Sequence, residues 1–529
     1  MVRNVVLLGG SNSVMVNGLQ KGLREGIEKY NQNKKNQEKL EFYNFAVGGC
    51  TVIQNLYELK RVRNQEVFKE ARLIITESNI NEIVNNNHKF EKLPLKMIYR
   101  NLNWFYQELY FLNTKVVSIL LPNQVSNYKV INNIHRKLCK KYGFNCVDMQ
   151  EYYNKHDIEE FGNRIDSSHQ LSVIMQKFGE NILENIDNFI LPKKLELKND
   201  NPKFIFCQAN ELENIEGRLE KIEVQNSMYK EVVYRIHKDV KLKFSNKFED
   251  YNLIALHTWN TNNKWKKEWG EYNQILFRNY SSLEIYNQEV SIIKENNMFV
   301  NVVEIQNKFR VDKESYVALN GDKPCNEKFN AAMSWYSDSK KLEFCDLISF
   351  FLASPNGNYH DEEIDFEALA NEKIEIETKY DFNHLIPPIE LYKEIIDEYC
   401  VKMGFGEISY TPSICSNSAK AIICNHLSYK LGEAILYNLG WKMIRLIFIA
   451  HYIAKKHRID KGRIKIINKP LETYPDYKEA LRIQNGLVYK LGSALIKANN
   501  VRGGGAKILS FIRFLKEVRR LKREYKNKR

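Results

Sequence analysis

No stretch of the 529-residue chain reaches the roughly 20 consecutive apolar residues that a membrane-spanning helix requires. The nearest candidate, Trp441 to Ala454, is interrupted by Lys442, Arg445 and His451 and reads as a buried or interfacial helix. The first residues also lack the apolar core and cleavage site of a secretory leader, because Met1-Val2-Arg3-Asn4 is followed at once by a strand-like run. The nine cysteines (50, 139, 146, 207, 325, 345, 400, 415 and 424) contain no Cys-x-x-Cys pair. That leaves free thiols in a reducing compartment as the reading, and a cytoplasmic location as the expectation. His257, His360 and His384 stand at no ligand-like spacing, so neither a metal nor another cofactor is expected.

What is present is an ordinary globular composition, 43% hydrophobic and 27% charged, in a chain too long for one core, which predicts two or three domains. The net charge of +14 is concentrated at the carboxyl end. Residues 501 to 529 hold eleven Lys and Arg against Glu517 and Glu524, a local excess of nine. Such a segment favours an anionic partner. No base-reading module accompanies it, so nucleic acid is not expected.

Residues 1–192 alternate strand and helix signals. Val5-Val6-Leu7-Leu8 ends in two glycines, and Gly18 to Tyr30 shows helical spacing through Leu19, Leu23 and Ile27. Glu41 to Ala46, Leu73 to Ile75, Val116 to Leu121 and Gly143 to Val147 repeat the strand signal. Strands separated by helices imply parallel pairing with right-handed crossovers, hence an α/β three-layer sandwich with its site outside the carboxyl ends of the strands. A polar linker follows near Pro192. Residues 203–353 carry β-branched and aromatic runs such as Glu231 to Ile236 and Phe299 to Ile305, which predict a mostly β substrate or accessory module. After a break at Ser354 to Asn358, residues 385–529 read as helical. Within them Leu427 to Ile435 matches Leu487 to Leu495 sixty positions on, a duplicated helical hairpin in which glycine allows close helix contact.

Four short segments of the first region hold the groups for serine-nucleophile chemistry: Gly9-Gly10-Ser11-Asn12-Ser13, Val47-Gly48-Gly49-Cys50-Thr51, Glu77-Ser78-Asn79-Ile80 and Asp166-Ser167-Ser168-His169. A glycine-flanked turn after the first strand presents Ser11 as nucleophile, with Ser13 as the alternative. The backbone N–H groups of Ser11 and Gly49 and the amide of Asn79 are candidate oxyanion donors. His169 is the candidate base, and Asp166, three residues earlier, the carboxylate that orients it. Each segment alone also has a plain structural reading as a turn or a helix cap; their order and combination favour the site.

These blocks resemble the SGNH, or GDSL-type, hydrolase superfamily over residues 1–192. The resemblance implies the same roles for Ser11, Gly49, Asn79, Asp166 and His169. Two departures stand out: the superfamily's Asp before the nucleophile is Gly10, and its Gly two residues before the Asn is Glu77. A carboxylate near an oxyanion hole opposes an anionic intermediate, so Glu77 is expected to point away or to handle substrate.

The remaining chain suggests targeting and substrate delivery. Ile508, Phe511, Ile512, Leu515, Val518 and Leu521 form one stripe flanked by Arg513, Lys516, Arg519, Arg520 and Arg523. Such a helix lies on an anionic inner-membrane surface or packs its stripe on the protein's own core. Trp259, Trp265 and Trp269, among Asn and Lys, suit stacking on sugar rings, although clustered tryptophans are more often core. The duplicated segment, Gly-rich turn and basic helix are similar to carboxyl-terminal regions of enzymes that build capsule and lipooligosaccharide in Campylobacter-type bacteria. Together these readings predict transfer or hydrolysis of a substituent ester on a surface polysaccharide, with a glycan acceptor or substrate and an acyl donor. Two rivals remain: transfer of a phosphoryl-type group such as O-methyl phosphoramidate from a nucleotide-linked donor, and a non-catalytic glycan-binding scaffold.

Overall fold

The computed structural model describes residues 2–33, 38–88, 91–123, 127–162, 167–260, 279–330 and 339–402, and parts of 419–437, 471–499 and 513–523. Two compact units divide it, Met1–Ile389 and Glu390–Arg529.

The first unit opens with five parallel strands, β1 (Val2–Gly9), β2 (Lys39–Asn44), β3 (Ala71–Glu77), β4 (Lys115–Leu120) and β5 (Asn145–Asp148), in the order β2-β1-β3-β4-β5. Val5, Val6, Leu7 and Leu8 are fully buried, as expected of a strand covered on both faces, which needs apolar residues at successive rather than alternate positions. Val6, Leu8 and Ile74 share a core with Leu56, Leu102, Phe105 and Ile134 from the helices Val52–Lys60, Leu95–Phe111 and Tyr128–Tyr142. The helices Leu19–Gln32 and Ser172–Glu184 pack on one another. The result is the expected α/β layered sheet. The order in which strands are added reverses between β1 and β3, which opens a crevice at the carboxyl ends of those two parallel strands.

The β-rich region is two antiparallel sheets. One runs Asn301–Glu304, Asn252–Thr258, Phe344–Ala353, Lys230–His237 and Glu220–Gln225, with Phe204–Gln208 on Phe344–Ala353. The other runs Ser291–Asn296, Asn279–Tyr286, Tyr316–Leu319, Lys241–Lys243 and Glu213–Glu216. Leu256, Phe350 and Ile236 from the first meet Leu283, Ile285 and Val317 from the second in an apolar sandwich core.

The sequence suggested separate regions at 1–192 and 203–353, but the two form one unit. Their fusion has a physical cause: Phe204, Ile254, Ala255, Val302, Val303 and Phe351 belong to the same buried cluster as Val52, Leu56 and Trp104. Polar contacts cross the same seam, with Tyr57 Oη bonded to Ser349 Oγ at 2.7 Å and Arg61 forked onto Glu231 at 2.7 and 3.0 Å. A further element was not anticipated. Residues 355–389, which run from the break read at Ser354 to Asn358 into the start of the region read as helical, return across the parallel-sheet region. Trp104 Nε1 donates to Asn358 O, Asn133 Nδ2 to Leu369 O, and Asn181 Nδ2 to Leu385 O, at 2.7 to 2.9 Å. Asp381 bridges Cys146 in parallel, which places this strap on the open edge of β5.

In the second unit the duplicated segments form the helices Leu427–Tyr437 and Leu487–Asn499, which pack on each other. A Cβ built on Gly432 would lie 1.7 Å from Val488 O, and one on Gly492 would lie 1.7 Å from Ser428 O. Each glycine thus meets the backbone of the other repeat. Of the tail stripe, Val518 and Leu521 are buried with Phe514 against Ile435 and Leu491. Ile508, Phe511, Ile512 and Leu515 lie outside the described residues. Among the described residues no helix is long and apolar enough to cross a membrane.

Replacing Gly492 by Ala should force the two helices apart, since the obstructing atoms are backbone. An overpacked contact of this kind costs about 1–3 kcal/mol; a loss of helical circular dichroism at lower temperature in Gly492→Ala, and again in Gly432→Ala, checks it.

Candidate active site

The nucleophile turn leaves β1 at Gly9 and enters a single helical turn, Ser11–Val14. Ser11 is half-buried and its Oγ lies 2.8 Å from His169 Nε2. These two side chains are 158 residues apart in sequence, so the fold alone brings them together. With the imidazole proton on Nδ1, the Ser11 hydroxyl donates to Nε2, the arrangement that general-base activation of an alcohol requires. Ser13, the alternative nucleophile, is excluded by its surroundings. It is fully buried, and its Oγ donates to Glu77 Oε1 at 2.8 Å.

Glu77 does not point away from the nucleophile turn, one of the two outcomes expected of it. It is 2% exposed and turns inward beneath the nucleophile turn. A single oxygen, Oε1, accepts from Gly10 N at 3.0 Å, Ser13 N at 3.1 Å and Ser13 Oγ at 2.8 Å. The carboxyl is thereby spent on holding the two ends of the turn. Gly10 has a complementary reason. A Cβ there would lie 1.8 Å from Asn81 Nδ2, so the amide of Asn81 fills the space that an Asp at this position would use. Both departures from the superfamily pattern belong to one packing solution, in which a carboxylate reaches the turn from β3 instead of from the turn itself.

The oxyanion reading needs a correction at Asn79. Its Nδ2 donates to Leu121 O at 2.8 Å and to Asn132 Oδ1 at 2.9 Å, while its Oδ1 accepts from Leu121 N at 3.0 Å. Both amide hydrogens are committed, one joining the helix Asn79–Asn86 to the residue after β4 and the other joining it to the helix Tyr128–Tyr142. Asn81, two residues on, is the side chain beside Gly10, and it donates to Cys50 O at 2.6 Å. A helix turns about 200° in two residues, which explains why one Asn faces the sheet and the other the nucleophile. The pattern Asn-Ile-Asn contained this signal, because only one of two asparagines at that spacing can face the site.

In the second loop Gly49 adopts φ 79°, a left-handed conformation open to glycine at little cost. Next to it Gly48 is exposed, with its Cβ position 3.9 Å from Ser11 Cβ. The loop is braced from beneath. Cys50 and Val47 pack against Tyr229, Val233 and Trp259 of the β-rich region. Thr51 Oγ1 donates to Glu304, and Val52 N donates to Glu82 Oε1 at 2.6 Å. Trp259 is therefore core and not a sugar platform, with only 8% of its surface exposed. Trp265, Trp269 and Asp166 lie outside the described residues. Cys50, wholly buried, has its thiol pushed up to about 12 by desolvation, which makes it inert beside the nucleophile.

Among the described residues no group of three or more His, Cys, Asp or Glu could hold a metal ion. The constellation of hydroxyl, imidazole and N–H donors on loops that follow β1, β2, β3 and β5 is equipped for acyl transfer without one.

Sixteen chains of known structure match this protein. A two-domain esterase active on acetylated mannans, crystallised with mannopentaose, is 12% identical, with a TM-score of 0.43, over 68% of this chain and 92% of that one. A lipase/acylhydrolase from Enterococcus faecalis is 15% identical (TM-score 0.28; 36% of this chain, 100% of that one). A catalytic mutant of an acetylxylan esterase from Geobacillus stearothermophilus is 11% identical (TM-score 0.28; 35% and 92%). A family described as a domain of unknown function, DUF8374, matches residues 355–527. No curated protein matches the chain.

Burial holds the Glu77 carboxyl up to about 7 and that of Glu82 up to about 8, against 4.5 for a free glutamate, with the backbone and hydroxyl donors only partly offsetting it. A folded-state value above the unfolded one means that the native state retains protons that the unfolded chain releases. The stability they contribute is complete below pH 4.5 and is lost as pH rises through 7 and 8. The unfolding midpoint should fall from pH 5 to pH 8, and Glu82→Gln, neutral throughout, should flatten that fall; an unchanged slope in the variant contradicts the assignment.

Proposed function

We propose that this protein forms or cleaves a substituent ester on a carbohydrate through a covalent acyl-serine intermediate. The observation that carries the reading is the 2.8 Å contact between Ser11 Oγ and His169 Nε2. Ser11 Oγ attacks the ester carbonyl carbon while His169 Nε2 accepts its proton. The resulting oxyanion is received by the Ser11 and Gly49 N–H groups and by Asn81 Nδ2, and collapses as the alkoxide leaves with the proton from His169. A second alcohol or a water, deprotonated by the same nitrogen, then releases the acyl group. Water makes the protein an esterase, and a glycan hydroxyl makes it an acyltransferase.

The non-catalytic rival drew on Gly10 and Glu77. The packing of Asn81 and Glu77 about the turn supports a competent serine despite both substitutions. Carbohydrate as the substrate class is the class named for the mannan and xylan esterases above, and a capsule or lipooligosaccharide setting belongs to the same proposal.

Four variants test it. Ser11 should label with a fluorophosphonate probe, and labelling should disappear in Ser11→Ala and His169→Ala. Asn81→Ala should lower kcat on an acetylated oligosaccharide by about 10²- to 10³-fold, the usual effect of one lost oxyanion donor, with acetate release as the measure. Asn79→Ala should act on stability instead, through the three bonds it gives up. Absence of labelling in the wild-type protein would refute the proposal.

A further inference from the structure

Asn12, directly after the nucleophile, has no place in the chemistry above, yet it is 2% exposed and fully engaged. Its Nδ2 donates to Ser168 O at 2.9 Å, and its Oδ1 accepts from Gln170 N at 3.1 Å. The two partners are the residues on either side of His169. One side-chain amide therefore reproduces the donor and acceptor pair that a neighbouring strand would present to the His169 backbone, and fastens the base to the turn that carries Ser11.

We propose that Asn12 is the positioning residue for His169, fixing the Ser11–His169 distance from the nucleophile's own side; the proposal rests on Ser11 and His169 being the catalytic pair. The remaining contacts of the loop agree with such a role. Asn123 Nδ2 donates to Ser167 O at 2.7 Å, and Tyr153 Oη donates to Gln170 Oε1 at 3.0 Å. These bonds anchor the loop to the ends of β4 and to the helix Met149–Lys155, and set where the loop lies as a whole. The Asn12 bonds refer its backbone position to Ser11. Because Asn12 is covalently next to the nucleophile, any shift of the turn carries the His169 backbone with it. The contact between hydroxyl and imidazole is preserved through small movements of either loop.

The amide is specific to the task. Removing it leaves Ser168 O and Gln170 N without their partner and lets the His169 backbone move relative to Ser11, and a displacement of about 1 Å at a catalytic group costs on the order of 100-fold in rate. In Asn12→Ala the fluorophosphonate labelling rate of Ser11 and the kcat for p-nitrophenyl acetate should both fall by about 100-fold with KM unchanged. A stability defect alone would instead reduce the active fraction measured by titration, and leave kcat per active site unaltered. Asn12→Asp, of the same volume, retains the acceptor for Gln170 N but sets a carboxylate oxygen against Ser168 O. It should be at least about tenfold slower than wild type, and it decides the matter if the alanine variant does not fold. Labelling within twofold of wild type in a folded Asn12 variant overturns the positioning role. A wild-type protein that does not label, or a label that survives Ser11→Ala, overturns the catalytic pair instead, and the role of Asn12 falls with it.

Discussion

The site depends on registering irregular loops against one another at the end of a rigid sheet. Strands hold their own register through a ladder of backbone bonds, but the segments after β1, β2, β3 and β5 have no ladder, and buried N–H and C=O groups left without partners are costly. In this chain side-chain amides and carboxyls take the place of the missing strands. Glu77 gathers the nucleophile turn, Asn79 ties the third loop to β4, Asn81 joins the third loop to the second, and Asn12 joins the first to the last. Removing any one of them unfastens two segments at once.

The β-rich region enters the same scheme. Its Glu304 and the cluster around Tyr229 and Trp259 sit directly under the loop of Gly48 and Gly49. The lower surface of that loop is thus built from residues far along the chain. This gives the middle of the sequence a share in the site without contributing a reacting atom, and it accounts for the absence of a boundary between the two regions.

Much of this was legible in advance where a physical rule ties residue type to place. Consecutive apolar runs announced a buried parallel sheet, glycine pairs announced turns, and the four blocks announced Ser11 and His169. The paired glycines sixty residues apart announced a close helix crossing. Where the outcome depended on which way a buried polar side chain turns, spacing was silent. Asn79 and Asn81 are both buried polar residues after β3, and only the helical angle between them separates a structural role from one beside the nucleophile. Glu77 was misread because a carboxylate near an oxyanion site was weighed by its charge alone, while three donors beneath the turn had use for an acceptor. Trp259 was a core tryptophan among polar neighbours. The strap 355–389 is held by asparagine amides on backbone carbonyls and by Phe366, Leu369, Ile374 and Ile376 against the core, and its alternation from Lys373 to Glu377 is too short to have marked it.

The crossing of Gly432 with Gly492 has one more implication. Each helix offers its partner the same small residue at the same station, and each glycine meets a carbonyl four residues ahead of the other. A surface complementary to its own copy is what a twofold-symmetric association uses. Here the two copies lie in one chain, so the association is internal and independent of protein concentration.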